Sequence, residues 1–394
     1  MTPVSGGERR ILFLAQLPPP IHGGTVVSQR IFDLLSDMDN VHMTHLWGGG
    51  AKTLNDIGKK DVSKILDFFG LLTKLSGRVL SERQHDLAYL TFTPWAHTAI
   101  RDAILVFVSK LLATRTLVHL HTLGLEKVLQ PGSLGYRLIR WLLTGAELIA
   151  PTDDAARMAR DSGIFSSVHT LANSAPDPGR PTITPSHKIT CGWFGNMDCR
   201  KGVLQFVDTI ASLRRAGLSV RGRIAGGPTW ELSVADVERY VSDNGLKGYV
   251  QVLGRLSEED KSRFLSELDL FIYLSRHDLA PLALIEAMAH GVAPIVFDTG
   301  GIRQMVGGYF AGNVLSPELE ADACQVRILA IVQRYLDEPD LLFTDRHAAR
   351  ARYLSEFAEP VFYNRLVDIV SDPSPMGPHP RIASMANTER QTDL

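Results

Sequence analysis

Short β-rich runs alternate with helical patterns along nearly the whole chain, and the alternation starts over midway after a proline-rich stretch. In the first half ILFLAQL precedes a helical pattern over Thr25 to Leu35, LAYLTF precedes Ala99 to Leu112, LVHLH precedes Leu134 to Leu143, and ELIAPT precedes Asp154 to Ser162. Such repetition argues a parallel sheet, because parallel neighbours need a crossover and a helix usually supplies it. The segment NSAPDPGRPTITPS, Asn173 to Ser186, interrupts the pattern. KITCGWF, Val203 to Ala216, RGRIAGG, YVQVLG, Ser257 to Glu267, LDLFIYL, Pro281 to His290 and VAPIVFD then resume it. A chain of 394 residues is long for one core. The expectation is therefore an α/β protein with two doubly wound domains, over 9–172 and 188–344, joined by a linker over 173–187. A helical region over 345–372 and a disordered tail over 373–394 follow. Ligands of such sheets bind beyond the carboxyl ends of the strands, so the strand-to-helix loops carry the chemistry.

Composition narrows the partners. Hydrophobic residues make up 45% and charged residues 21%, with a net charge of −2, which gives no broad basic surface for nucleic acid. The charge is uneven, with 18 basic and 15 acidic residues through Ala172 against 23 and 28 beyond it. Cys191, Cys199 and Cys324 have neither metal-knuckle spacing nor disulfide density, which suits a reducing compartment. MTPVSGGERR lacks the apolar core of a secretion signal, and the greasiest stretches are broken by Lys110, Arg140 and Thr144, short of the roughly 20 residues that span a bilayer. The expected location is cytoplasmic.

Several strand-end loops combine glycine with polar side chains. His22-Gly23-Gly24 precedes the first helical pattern, where glycines allow close approach and free N–H groups attract a phosphate or a sugar hydroxyl. LVHLH ends in His121, a side chain able to bond a hydroxyl or a reacting centre, with His119 on the same face. KITCGWF leads into GNMDCRKGV, where Arg200 and Lys201 just ahead of a helix oppose its dipole unless an anion sits there. A diphosphate fits, with charge-assisted bonds of roughly 1.5–3 kcal/mol each. IAGGP and VLGRLS are glycine-bearing strand ends that also read as ordinary turns.

The most informative stretch is RHDLAPLALIEAMAHG. Pro281 suits a first helical position and Gly291 the left-handed residue past the end, which predicts a helix of about nine residues. Asp278 and Glu286, with seven residues between them, fall on the loop and on the second turn. Glu286 lies among Ala287, Met288 and Ala289, so its carboxylate is partly desolvated and needs a partner. VAPIVFDTGGIRQMV closes the region with Gly300-Gly301.

Together these loops resemble retaining glycosyltransferase family four, most specifically across Lys188 to Val306 and more loosely in the first half. The resemblance implies the GT-B fold of two facing Rossmann-like domains, with the final helix crossing back onto the first. It assigns His121, Asp278 and Glu286 to catalysis, and Gly23, Gly24, Arg200 and Lys201 to the donor diphosphate. Gly195, Asn196, Gly226, Arg255, Leu256, Ala280, Pro281, Leu282 and Glu286 would line the nucleoside and sugar, Glu286 taking bonds from ribose hydroxyls and Asp278 meeting the donor sugar. The chain departs from the family at Asn196, where arginine is usual, at Asp278, usually glutamate, and at Gln304, often glutamate. The resemblance implies a UDP- or GDP-sugar donor, a glycan or lipid-linked glycan acceptor, attack from the face the leaving group vacates, and neither cofactor nor metal. A GT-B sugar-nucleotide epimerase and a catalytically weak sugar-nucleotide-binding homologue are the alternatives. Lys59 to Arg83 forms a helical pattern rich in Leu and Phe, with Lys59, Lys60, Lys64, Lys74 and Arg78. It reads as a core helix with a basic edge, or as a peripheral contact with the inner membrane face.

Overall fold

The computed structural model describes residues 8–48, 62–81, 85–130, 132–184 and 188–372. Twelve strands are defined among them: β1 (Arg9–Leu14), β2 (Val41–His45), β3 (His85–Phe92), β4 (Ala113–Leu120), β5 (Glu147–Ala150), β6 (Ser167–Thr170), β7 (Ile189–Phe194), β8 (Val220–Ala225), β9 (Val250–Val252), β10 (Leu270–Tyr273), β11 (Ala293–Phe297) and β12 (Val314–Leu315). The helices are α1 (Gly23–Ser36), α2 (Val62–Ser81), α3 (Ala96–Leu112), α4 (Leu125–Leu129), α5 (Leu134–Leu143), α6 (Asp153–Asp161), α7 (Val203–Arg215), α8 (Val234–Asp243), α9 (Glu258–Ser266), α10 (Leu282–Ala289), α11 (Ile302–Val306), α12 (Ala321–Asp337), α13 (Pro339–Glu356) and α14 (Glu359–Ser371).

The strands form two six-stranded parallel sheets, ordered β2-β1-β3-β4-β5-β6 and β12-β11-β10-β7-β8-β9. Each order reverses direction once, between β1 and β3 in the first sheet and between β7 and β10 in the second. A crevice opens at such a reversal because the loops on either side leave in opposite directions. The central strands are buried on both faces, as near-continuous runs such as LFIY and APIVF require. Trp193, Phe206, Phe271, Tyr273 and Ile285 pack the second core, and Leu90, Phe92, Val106 and Val118 one side of the first.

Two expectations shift. α10 runs Leu282–Ala289, so Pro281 is its N-cap rather than its first helical residue; Gly291 (φ +66°) does take the left-handed place after His290. The region over 345–372 divides. α13 begins at Pro339 and packs on the second core through Leu342, Ala349 and Tyr353, so only α14 crosses back, seating Phe362, Leu366 and Ile369 with Phe13 and Ile31 of the first lobe. The break at Phe357 and Ala358 follows from Ala358 bridging to Ala175 of the inter-lobe segment, which stops one continuous helix. The expected tail lies outside the described residues.

The crossover is fastened at its far end. Arg115 of β4 donates from Nη1 to the carbonyls of Val370 (3.0 Å) and Asp372 (2.6 Å), and from Nη2 to Ile369 (3.0 Å). Its Nε (2.8 Å) and Nη2 (2.9 Å) also reach the buried carboxylate of Glu147. Burial alone would push the Glu147 carboxyl up, but the Arg115 and His169 bonds hold it down at about 2. Arg115→Ala is expected to cost about 3–5 kcal/mol of stability, the range for breaking a buried ion pair. Because the folded carboxyl is depressed, the pair stabilises fully above the ordinary carboxylate range and loses its contribution as pH falls from about 4.5 towards 2. Denaturant melts of Arg115→Ala at pH 7 and pH 3 test both: the deficit should be large at pH 7 and smaller at pH 3, and a deficit independent of pH contradicts the assignment.

Candidate active site between two switch points

The two strand-order reversals face each other. The first contributes the loop ending at His22 and the loop after β3 with Trp95; the second contributes the turn after β7 with Lys201 and the loop after β10 with His277 and Asp278. Trp95 and His277 meet edge to face at 4.9 Å. The lobes touch again where Asn173 Nδ2 donates to the Ala280 carbonyl (2.8 Å). Leu279 packs into the first core, and Gln304 exchanges two bonds with Asp153. Gly301 allows this approach, since a Cβ there would stand 2.1 Å from Thr152 Cγ2.

Lys201 ends a 3₁₀ turn, Cys199–Lys201. Gly202 (φ +82°) lets that turn lie against the end of β10, where a Cβ would be 2.6 Å from the Leu274 carbonyl. Trp193 Nε1 donates to the Lys201 carbonyl at 3.1 Å. Lys201 Nζ donates to Asp278 Oδ1 at 2.8 Å, while Asp278 Oδ2 accepts from Tyr273 Oη (2.8 Å) and Ser275 Oγ (2.7 Å). Burial pushes the Asp278 carboxyl up, but Lys201 and the two hydroxyls outweigh it and hold the group ionised. Arg200 grips Asp198 through Nε (3.1 Å) and Nη2 (2.7 Å) with its side chain half exposed, and its charge also acts on Asp278 and His277.

Across the cleft His22 caps α1, its backbone N–H donating to Thr25 Oγ1 at 3.1 Å. A Cβ on Gly24 would lie 3.3 Å from the His22 ring and 3.9 Å from His121 Cβ, whereas one on Gly23 would meet nothing. Burial, aided by Lys201, lowers His22 to about 4; burial, aided by His22, lowers His121 to about 3. Both imidazoles are therefore neutral at pH 7. His121 packs 4.2 Å from His119, whose Nδ1 is 2.7 Å from Tyr89 Oη, and the buried Nε2 of His121 has no protein partner.

Glu286 stands on α10. Its Oε1 accepts from Lys261 Nζ of α9 at 2.7 Å, and the same ammonium holds Glu258 Oε2 at 2.7 Å. Burial raises the Glu286 carboxyl, and the Lys261 charge only partly offsets it. Arg30 of α1 faces the group from the other lobe, fixed by Ser174 Oγ (2.9 Å) and Glu359 (3.4 Å).

The structure thus brings Lys201, Asp278, His22, Gly24 and His121 together, with Glu286 near Arg30 of α1. Gly195, Gly226, Arg255 and Leu256 form a third group at the ends of β7, β8 and β9. Gly226 crosses so close that a Cβ would sit 1.6 Å from the Gly195 carbonyl, and Arg255 lies over Gly227. Asn196 is half-buried and Pro281 buried; Ala280 and Leu282 pack on the second core, Leu282 reaching the first as well. Sequence reasoning missed Lys261, Tyr273 and Ser275 as carboxylate partners. Only the desolvated setting of Glu286 signalled that some partner was needed.

These two facing doubly wound sheets, closed by a returning helix, define the GT-B fold. Sucrose-phosphate synthase of Thermosynechococcus elongatus superposes with a TM-score of 0.72 at 14% identity, covering 92% of this chain and 98% of that one. The Anabaena protein Alr3699/HepE in complex with UDP gives 0.66 at 17% identity, with 92% and 99% covered. Residues 188–334 match the family model for glycosyl transferases group 1, so the second lobe carries a glycosyltransferase group 1 domain. A GDP-mannose:cellobiosyl-diphosphopolyprenol alpha-mannosyltransferase of Xanthomonas oryzae pv. oryzae is 26% identical over 195 residues, 49% of each chain. This chain spans about half the length of the curated relatives it matches.

Proposed function

We propose that the chain is a retaining glycosyltransferase that moves a sugar from a UDP- or GDP-sugar onto a glycan or lipid-linked glycan. The observation that carries the reading is the Lys201–Asp278 pair at one switch point, facing the capped amino terminus of α1 and two neutral histidines at the other. In the reaction the bond from the anomeric carbon to the diphosphate breaks and its electron pair leaves with the diphosphate. An acceptor hydroxyl bonds to that carbon from the vacated face, and its proton passes to a diphosphate oxygen. Lys201 and the N–H groups at Gly23 and Gly24 are placed to stabilise the charge that grows on the leaving group. With its carboxylate accepting from three donors, Asp278 is suited to orienting Lys201 beside the donor sugar. His121, neutral and with an unpartnered ring nitrogen, is suited to a sugar hydroxyl.

The donor assignment draws on neighbours solved with UDP and UDP-glucose and on a relative named for GDP-mannose. Calorimetric titration with UDP, GDP and ADP, followed by transfer assays, tests it. One of the first two should bind, and its sugar should reach an acceptor with retained configuration. Isomerised donor without acceptor favours an epimerase; binding without any turnover favours the weak homologue.

A lipid-linked acceptor fits peripheral contact through α2. Among the described residues no helix is long and apolar enough to cross a membrane. α2 instead leaves Leu66 (66%) and Phe69 (58%) exposed, and Lys74 as well, while Leu71 and Leu75 are buried. α2 packs on α3 and α3 on α5, where Leu138 and Trp141 are also exposed. Lys59 and Lys60 lie outside the described residues. Co-sedimentation with anionic vesicles should fall about tenfold when Leu66 and Phe69 become serine and Lys74 glutamate. No sedimentation of the unaltered chain at low salt would end this part of the proposal.

A further inference from the structure

Glu286 presents an unusual acceptor. Lys261 Nζ occupies Oε1, whereas Oε2 has no protein donor among the described residues, so one oxygen is fixed and the other left open. The lysine is itself mostly buried, its ammonium shared between Glu286 and Glu258 and lying 5.9 Å from the centre of the Phe194 ring. A second bond, from His290 Nδ1 to the Glu286 carbonyl (2.8 Å), and the Ser262–His290 contact (3.0 Å) tie α9 to α10 around the same point. Nothing about the surface of a nucleotide domain requires a buried lysine here. Its position makes sense if a carboxylate must stay ionised and aimed.

We infer that Lys261 is a positioning residue of the donor site, fixing the rotation of the Glu286 carboxylate through Oε1 so that Oε2 is turned to a ribose hydroxyl. This rests on the reading of the second lobe as the nucleotide-sugar side. The groups around Glu286 are Lys261 and Glu258 from α9, Arg30 from α1 and His290 capping its own helix, while Arg346 and Arg350 of α13 engage the carbonyls of Gly291 and Ala289 at the far end of α10. Of the two cations that face the carboxylate, Arg30 is already committed to Ser174 and Glu359, so Lys261 is the one in contact.

The experiment measures affinity for UDP and GDP by calorimetry between pH 6 and 9, for the unaltered chain, Lys261→Met, Lys261→Arg, Glu286→Gln and the Lys261→Met/Glu286→Gln pair. Burial already raises Glu286, and removing Lys261 takes away its largest opposing influence, so the carboxyl titrates closer to neutrality. In Lys261→Met the preferred nucleotide should bind about tenfold more weakly at pH 6 and recover as pH rises, whereas the unaltered chain is flat above pH 7. Lys261→Arg should restore most of the affinity, and the double variant should bind no worse than Glu286→Gln alone, because both act through one carboxylate. A 2′-deoxynucleotide should lose less on Lys261→Met if the 2′-hydroxyl is the one read, and a 3′-deoxynucleotide less if it is the other. Melting midpoints of each variant separate loss of fold from loss of aim. Unchanged, pH-independent affinity in Lys261→Met, or additive losses in the double variant, overturns the inference alone. Failure of the unaltered chain to bind any nucleoside diphosphate overturns it together with the proposed function.

Discussion

Lys201→Ala is expected to lower kcat/KM for sugar transfer by about 10²–10³, or roughly 2.7–4 kcal/mol of barrier. Two effects add. The cation that meets the departing diphosphate is gone, and Asp278 loses the charge that keeps it ionised against burial. Its carboxyl then rises toward protonation, retaining only the Tyr273 and Ser275 hydroxyls as partners. The loss should therefore fall mainly on kcat, with affinity for the nucleoside diphosphate reduced as well. Lys201→Arg should recover little, because the aliphatic reach to Asp278 at 2.8 Å is set by the turn at Gly202. Steady-state kinetics within threefold of the unaltered chain would remove Lys201 from the site.

The second large effect is expected at Glu286. Glu286→Ala should cut turnover by at least two orders of magnitude, about 2.7 kcal/mol in barrier terms. Here the charge left behind is Lys261, with only Glu258 to answer it, and a cavity opens where the buried side chain stood. Glu286→Gln keeps the volume and removes the charge, so it separates the two causes. If the role is ribose recognition, the amide variant should weaken donor KM more than it disturbs melting. Full activity in Glu286→Ala would exclude the residue from the reaction.

Much of the fold was legible because the central strands are buried on both faces. ILFLAQL, LAYLTF, LVHLH, KITCGWF, LDLFIYL and VAPIVFD each contain or overlap one of these strands. The unread strands, β2 (VHMTH), β6 (SVHT) and β12 (VL), are all sheet edges. β2 and β6 are partly exposed, so they lack an apolar run, while β12 is buried but only two residues long, too short to show a pattern. α8 was missed too, although Ser233 and Asp236 form a capping box at its start. At the candidate site, spacing identified Lys201, Asp278 and Glu286 as residues of interest but not their partnerships. Lys201 and Asp278 are 77 positions apart, and Lys261 and Glu286 are 25 apart. Such pairs are set by which loops share a reversal of the sheet, a property of three dimensions. Arg200 shows the converse: its own turn pairs it with Asp198, only two residues away.

Gln304 shows what a single atom can decide at the seam between the lobes. Its amide accepts from the Asp153 backbone N–H (2.8 Å) and donates to the Asp153 carboxylate (2.8 Å). A glutamate, more usual at this place by the family resemblance, would satisfy the first bond and repel the second group. The amide turns a point of mutual repulsion into a clasp with no ion pair across it, so at this corner the grip of one lobe on the other should be nearly indifferent to ionic strength.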